Sequence, residues 1–352
     1  MVRPVLGISI GDPAGIGPEI CVKALGRKEL YENAIPLVYA DKPVLEQAFE
    51  ITKSNLALHP IKKPEQALGV YGTIDYIEAK VIGSKDDYAI GKVSANSGEA
   101  AFQYVVNAID AALAGSIAAV VTGPINKEAI NLAGHNFSGH TEIFAHYTKT
   151  NDYAMLLSAG SGTNSLNVIH VTTHVPLRKA CDIITRERVL KTIVLADEAL
   201  KLMGKKTRRI AVAGLNPHSS ENGLFGNEEN DAIIPAVEEA KSKALDVTGP
   251  IAPDTVFVKA LGGRFDIVVA MYHDQGHIPL KLCGFTMDKT SGGFTSMRGI
   301  NTTIGLPIIR TSVDHGTAFD IAGKNIASEE SLLDALEMAL AFVTNKQKNQ
   351  SS

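Results

Sequence analysis

The chain has 352 residues, enough for a large core and for about two domains. Lys plus Arg number 34 against 38 Asp plus Glu, a net charge of −4, which is too near balance for nucleic acid or an anionic membrane to be the main partner. Cys21, Cys181 and Cys283 show no CxxC spacing, which excludes a disulfide scaffold and fits a reducing compartment. No stretch approaches a membrane span, and Met-Val-Arg-Pro leads into a strand and turn instead of a secretory h-region, so a cytoplasmic location is expected.

Strand-like runs alternate with helical patterns along most of the sequence. Residues 5–10 read as a strand, followed by a Gly/Pro loop and a helix over 19–25. A strand over 35–40 precedes a helical pattern after Pro43. Residues 99–114 are Ala-rich and periodic, with Ser97 placed to cap them, and 118–122 read as a buried strand ending at Gly123-Pro124. Thr141 and Glu142 precede an apolar periodic run, as a helix cap would. Strands follow over 167–171, 210–214, 267–271 and 308–312. Between them, 185–203 is the clearest helix: Val189, Ile193, Leu200 and Met203 share a stripe, Thr185 caps it and Gly204 ends it. A shorter helix is expected over 231–244 and a last one over 328–344, with the polar tail 345–352 fraying. The alternation argues for the α/β class, a parallel sheet covered by helices on both faces.

Three of these strands are each followed by a histidine: His174 in NVIHVTTHVPL, His218 in IAVAGLNPHSS and His273 in IVVAMYHDQGH. In open α/β sheets ligands bind outside the carboxyl ends of the strands, so the three imidazoles are candidate ligands of one metal ion with positions left open for substrate. The cluster His273-Asp274-Gln275-Gly276-His277 leads on to Lys281. Polar groups directly after an apolar strand are costly unless paired or functional. Asp274 suits either a second-shell partner or a general base. Gly11 and Asp12 open a glycine loop, GDPAGIGPE, that joins the first strand to its helix and is not a GxGxxG fingerprint. His140 and Thr141 in GHTE are suited to orienting a carboxylate or hydroxyl. Lys281, Asn301 and Arg310 form a cationic, donor-rich set fitted to phosphate. His315, Gly316 and Asp320 lie in the loop HGTAFDIAGK, which could hold a ribose or adenine.

Taken together, GDPAGIGPE, VTGPINKEA, GHNFSGHTE, VTTHVPLRK, NPHSSENGLFG, MYHDQGHIPLK and GLPIIRTSVDHGTAFDIAGK resemble the 4-hydroxythreonine-4-phosphate dehydrogenase family over nearly the whole chain. ENGLFG and HDQGHIPLK are most similar to its 4-phospho-D-threonate dehydrogenase branch. The resemblance implies two α/β/α lobes with an active-site cleft between them, as in isocitrate and isopropylmalate dehydrogenases. Residues 1–130 and 300–352 would form the cofactor lobe, and 131–299 the lobe with the metal ligands and the dimer interface. It implies His174, His218 and His273 as ligands of a divalent cation (Zn, Mg, Mn or Co). It implies substrate contacts from His140, Thr141, Lys281, Asn301 and Arg310, and the cofactor NAD on the His315 loop. Asp274 and Lys281 are the candidate catalytic groups. The expected form is a homodimer with composite active sites. The expected reaction is oxidation at C3 and decarboxylation of a small phosphorylated hydroxy acid, 4-phospho-D-threonate or 4-phospho-D-erythronate, to dihydroxyacetone phosphate. That reaction belongs to carbohydrate metabolism. The alternative substrate is 4-hydroxy-L-threonine 4-phosphate, in pyridoxine biosynthesis. A metal-dependent hydrolase or aldolase and a non-enzymatic binding protein are the readings from other classes. Two departures from the family pattern stand out: Ser219-Ser220 replaces the common Ala-Gly, and an extra segment at about 286–298 separates Lys281 from Asn301.

Overall fold

The apolar runs and amphipathic periods fold into alternating strands and helices. The structure, a computed structural model, describes residues 3–160, 165–287, 294–297 and 299–350. The chain divides into two units, Met1–Asn151 with Leu306–Gln347, and Asp152–Gly305 with Lys348–Ser352.

The first unit opens with β1 (Val5–Ser9), α1 (Gly17–Leu25), α2 (Leu30–Asn33), β2 (Ile35–Tyr39), α3 (Lys42–Thr52), β3 (Ala57–Pro60) and β4 (Thr73–Ile77). It continues through α4 (Ala95–Leu113), β5 (Ala119–Thr122), α5 (Lys127–Leu132) and α6 (His140–Tyr147). The second unit begins with β6 (Ala154–Ala159), β7 (Leu166–His170), α7 (Leu177–Asp182), α8 (Arg186–Leu202), β8 (Ile210–Ala213), α9 (Ile234–Ser242) and β9 (Val247–Ile251). It ends with α10 (Pro253–Leu261), β10 (Ile267–Ala270), α11 (His273–Gly284), β11 (Phe285–Met287), β12 (Phe294–Met297) and β13 (Ile300–Ile304). The chain then returns to the first unit with β14 (Ile309–Val313) and α12 (Glu330–Gln350).

In the first unit the strands run in the order β3-β4-β2-β1-β5-β14, every pair parallel. In the second the order is β13-β6-β7-β10-β8-β9, with β6 antiparallel to both of its neighbours and the rest parallel. Successive side chains on a strand point to opposite faces, and on β5, β7, β8 and β10 all of them are buried, so both faces are covered. Leu157, Val168, Ala211, Val268 and Leu280 belong to the second unit's core.

Helix α8 begins where the sequence places it: Thr185 is extended and its hydroxyl accepts from the Arg188 amide. Other boundaries move. The cap of α4 is Ser94, not Ser97, because the Ser94 hydroxyl takes the Ser97 amide at 3.2 Å and starts the helix a turn earlier. The helix expected over 231–244 begins with a π turn at Glu229–Ile233 before α9. The tail expected to fray continues α12 to Gln350. Its Lys and Gln residues are good helix formers, and Lys348 lies in the last turn, where a cation complements the helix dipole. Helix α6 starts at His140 itself, with Gly139 as N-cap, so Thr141 and Glu142 occupy its first turn instead of capping it.

The expected unit boundary at 130/131 falls at 151/152, and 300–305 stay with the second unit. Helix α6 remains in the first unit because it packs on α4, Tyr147 meeting the edge of Phe102. Of the extra segment, β11 and β12 form an antiparallel pair. Residues 288–293 and 298 lie outside the described residues.

Candidate active site

Strands β7, β10 and β8 are neighbours in parallel register, with His170 opposite Ala270 and Val269 opposite Val212. Their carboxyl ends therefore lie side by side, and His174, His273 and His218 each follow one of them. The His174 and His273 rings lie with centroids 5.6 Å apart. They border a cavity of about 360 Å³ that also takes in Thr173, Tyr272 and Asp274. His273 is the first residue of α11, and its Nδ1 lies 2.6 Å from Asp274 Oδ1. An ionised carboxylate only accepts, so Nδ1 donates to it and Nε2 keeps its lone pair.

One turn on, His277 stacks on His273 with centroids 3.6 Å apart, and its Nδ1 donates to the His273 carbonyl at 2.9 Å. Burial, then the neighbouring His273, push the His277 imidazole down to about 4. Behind it lies His170, fully buried and pushed down to about 3, chiefly by desolvation. Its Nδ1 donates to the Met155 carbonyl at 3.2 Å. Helix α11 packs this closely only because residue 276 is glycine: a Cβ there would stand 2.3 Å from His170 Nε2.

His218 follows β8 in the turn Pro217–Glu221, where five consecutive residues, His218 to Asn222, have positive φ. Its Nδ1 lies 3.6 Å from Glu221 Oε1 and its ring 6.4 Å from Phe225. Among the described residues no three ligating side chains are assembled as a metal-holding group. His174 and His273 are brought together.

The His218 loop is tied down by Glu229, a buried carboxylate. One oxygen accepts from the Leu215 and Asn216 amides, both at 2.8 Å, and the other from Asn216 Nδ2 at 2.8 Å. The unusual Ser219-Ser220 pair has a local use. The Ser220 hydroxyl accepts from the Gly223 amide at 2.9 Å and donates to the Gly226 carbonyl, closing the loop on itself. Lys281 lies further along α11, its ammonium 4.4 Å from the Phe285 ring centroid. Asn301 is on β13, opposite Leu157.

In the first unit Arg310 on β14 is 2% exposed. Its Nη2 donates to Thr122 Oγ1 at 3.0 Å, and its guanidinium lies 5.5 Å from the Phe144 ring. Burial pushes Arg310 down to about 9, with Glu142 opposing the shift, so it remains a cation at neutral pH. His140 is driven well below the usual imidazole range by burial, then by the Arg310 and Lys127 charges. Its Nε2 has no hydrogen-bond partner among the described residues. Thr141 is buried beside it in the first turn of α6. Two of the expected substrate residues, His140 and Arg310, thus lie close enough for the guanidinium charge to act on the imidazole.

The glycine loop and the HGTAFDIAGK loop form a second assembly in this unit. The Ile16 amide donates to the Thr317 carbonyl at 3.0 Å. Glu19, buried in α1, accepts from the amides of Gly323 and Asn325. Lys23 donates to the carbonyls of Asn325 and Ala327. Gly11 has φ +86°, and a Cβ on it would lie 2.3 Å from the Pro124 carbonyl oxygen. Asp12 is fully buried and raised to about 6 by desolvation. Its Oδ1 accepts from the Ala14 amide at 2.8 Å, and its Oδ2 has no partner among the described residues. His315 Nδ1 donates to the Gly316 carbonyl at 3.0 Å, and Asp320 is exposed.

Parallel strands covered by helices, with polar groups gathered past their carboxyl ends, define an α/β enzyme. Its sequence matches, over residues 32–339, the family described as pyridoxal phosphate biosynthetic protein PdxA. The chain belongs to the PdxA family. A protein of Oceanobacillus iheyensis named "Putative D-threonate 4-phosphate dehydrogenase" is 47% identical over 98% of this chain and 99% of its own. A solved structure from Salmonella typhimurium, described as a putative 4-hydroxythreonine-4-phosphate dehydrogenase, superposes with TM-score 0.84 at 45% identity, covering 97% of this chain and 100% of that one. A 4-hydroxythreonine-4-phosphate dehydrogenase from Klebsiella pneumoniae gives TM-score 0.81 at 43% identity over the same shares. The protein is an oxidoreductase, a dehydrogenase of this family.

Sequence reasoning named Gln275 only as a member of the cluster after β10, and missed Glu229, Thr172 and His170. The last carried a signal, since His170 and His174 stand four apart around the end of one strand.

Proposed function

We propose that the protein oxidises a 4-phosphorylated four-carbon hydroxy acid at C3 with NAD and decarboxylates the product. The substrate would be 4-phospho-D-threonate or 4-phospho-D-erythronate, and the products dihydroxyacetone phosphate and carbon dioxide. The observation that carries this assignment is the near-full-length likeness to the Oceanobacillus protein named for D-threonate 4-phosphate. Removal of a proton from the C3 hydroxyl and a hydride from C3 gives a ketone β to the carboxylate. The C1–C2 bond then breaks, its electron pair passing into the ketone as an enolate, and a proton returns to C2.

His174, His218 and His273 are proposed to hold a divalent cation, zinc, magnesium, manganese or cobalt. The donor chemistry fits, and so does the placing of His174 beside His273 with Asp274 on Nδ1. When bound, the cation supplies a Lewis acid for the hydroxyl and carboxylate oxygens, and NAD a hydride acceptor. Asp274 fixes the His273 tautomer, and it and Lys281 are the groups proposed to carry protons. Arg310, Lys281 and Asn301 are proposed to bind the phosphate-bearing chain, with charge-assisted bonds fixing its register. His140, kept neutral by burial, and Thr141 orient the polar end. Gly11, Asp12, His315, Gly316 and Asp320 are proposed to contact NAD. No Lys or Arg cluster adjoins Asp320 apart from Lys324, which favours NAD over NADP.

The active form is proposed to be a homodimer with composite sites, a reading that comes from the family to which the chain belongs. Mixing an inactive His174→Ala variant with an inactive Lys281→Ala variant should then restore part of the activity. Among the described residues no helix is long and apolar enough to cross a membrane. The three cysteines are free, which supports a cytoplasmic location.

The test is NADH formation on a panel of phosphorylated four-carbon acids with cation and NAD saturating. A second reading, 4-hydroxy-L-threonine 4-phosphate as substrate, is favoured by the names of the Salmonella and Klebsiella structures. If that amino acid has the higher kcat/KM by about tenfold, a difference of about 1.4 kcal/mol, the threonate assignment fails and pyridoxine biosynthesis replaces it.

A further inference from the structure

Past the ends of β7, β10 and β8 the strand ladder stops, yet the three segments that carry the histidines remain tied to one another by side chains. Gln275, in the first turn of α11 and 8% exposed, bridges two of them. Its Oε1 accepts from the Met271 amide at 2.6 Å, and its Nε2 donates to the Gly214 carbonyl at 2.8 Å. Backbone N–H can only donate and C=O only accept, so this amide orientation is the one the partners allow. The third segment is tied by Thr172, 5% exposed, whose hydroxyl donates to the Met271 carbonyl at 2.9 Å.

The Met271 peptide is thus gripped on both sides. The chain of bonds runs from Gly214 through Gln275 and Met271 to Thr172. Met271 stands two residues before His273, Thr172 two before His174, and Gly214 four before His218. The Gly214 end has no slack: a Cβ there would stand 2.6 Å from Ser219 Oγ, in the turn that carries His218.

We propose that Gln275 and Thr172 are positioning residues that fix the strand ends carrying the histidines, each for the site its histidine serves, and so set the protein's affinity for a divalent cation. The proposal rests on the assignment of His174, His218 and His273 as ligands. Only glutamine supplies an acceptor for Met271 and a donor for Gly214 at this reach. Gln275→Met removes both and leaves two buried backbone groups without partners. Gln275→Glu keeps the acceptor and sets a carboxylate against the Gly214 carbonyl. Thr172→Val keeps the shape and removes the donor.

The experiment uses the full chain and Co²⁺ as probe, with binding measured by competition against a chromophoric chelator and by the visible cobalt spectrum. Unfolding temperature without metal is followed in parallel. Gln275→Met, Gln275→Glu and Thr172→Val should each weaken Co²⁺ binding by roughly 10-fold, the lower end of the effect of losing a group bonded directly to a ligand, because these side chains bond the strand-end backbone instead, and should change the cobalt spectrum. Thr172→Ser, which keeps the hydroxyl, should restore affinity. A purely structural role would lower the metal-free unfolding temperature and leave Co²⁺ affinity and spectrum at wild-type values; that result in any folded variant overturns the proposal. Should Gln275→Met fail to fold, Gln275→Glu and Thr172→Val carry the test. A wild-type chain that binds no Co²⁺, or a His174→Ala chain that binds it fully, overturns the ligand assignment itself. The two failures are therefore told apart.

Discussion

Replacing Glu229 by alanine should loosen the His218 loop without touching any of the three candidate histidines. The carboxylate is 1% exposed and accepts three hydrogen bonds, from the Leu215 and Asn216 amides and from Asn216 Nδ2, each at 2.8 Å. A hydrogen bond to a charged group contributes about 1.5–3 kcal/mol, and bonds that share one acceptor group do not add fully. Glu229→Ala should therefore cost about 3–5 kcal/mol of local stability. Glu229→Gln should cost about 1–2 kcal/mol, because one amide oxygen still serves the backbone pair while its NH₂ opposes Asn216 Nδ2. The assay is native-state amide hydrogen exchange on the peptide spanning 210–230, compared with a peptide from the core of α8. Protection of the Leu215 and Asn216 amides should fall in the order wild type, Gln, Ala, with α8 unchanged. Exchange in Glu229→Ala within about 0.5 kcal/mol of wild type would refute the anchoring role.

Asp12 gives a pH dependence. Its folded pKa is raised from 3.8 to about 6, so the group favours folding below pH 4, and this contribution, on the order of 3 kcal/mol, is lost as pH rises through 6. Asp12→Asn should gain stability over wild type between pH 4 and 7 in urea unfolding, and a pH-independent difference would exclude burial as the cause. Arg310→Lys loses the planar fork that reaches Thr122 and should raise KM for a phosphorylated substrate by about tenfold or more, as expected for one charge-assisted bond. An equal loss with the unphosphorylated acid would remove phosphate from Arg310. Gly276→Ala forces a Cβ to 2.3 Å from His170 Nε2 and 2.7 Å from Val168 Cγ1. Overpacking of about 1–3 kcal/mol should outweigh alanine's helix preference of about 1 kcal/mol, and a raised unfolding temperature would contradict this.

The parallel strands were legible because an uninterrupted apolar run between turn residues has few other uses: 210–214 and 267–271 differ from β8 and β10 by a residue at one end. Helix α8 was equally plain, having a threonine cap and a stripe of period 3.6. Helix α11 was not, since Gly276 and Pro279 weigh against a helix locally. Packing overrides them, with Gln275, Gly276, His277 and Leu280 all buried. The π turn before α9 and the left-handed run from His218 to Asn222 have no signature in residue type alone. Individual candidate residues could be named from chemistry and strand-end position. What ties them together could not: Glu229 was not singled out and Gln275 only as one of a cluster, because the distant backbone groups that a buried polar side chain satisfies have no mark in the sequence.

The two units differ in which of their buried polar groups keep a charge, and the ordinary pKa of each group is what separates them. Desolvation disfavours every charge, but whether the charge is lost at neutral pH depends on how far the group's ordinary pKa lies from neutrality. An imidazole begins near 6.5, so burial alone leaves His140, His170 and His277 uncharged at pH 7. A guanidinium begins so high that the same burial brings Arg310 only to about 9 and leaves it a cation. Around His273, then, the buried neighbours His277 and His170 add no positive charge that would repel a bound cation. Around Arg310, neutral His140 adds no second charge, and the guanidinium keeps one for an anionic group. Exchanging the residue types would reverse this: a buried lysine at 277 would place a charge beside His273, and a histidine at 310 would be neutral and could not hold phosphate by charge. The choice of imidazole in one unit and guanidinium in the other follows from the ordinary pKa values and the burial of each site.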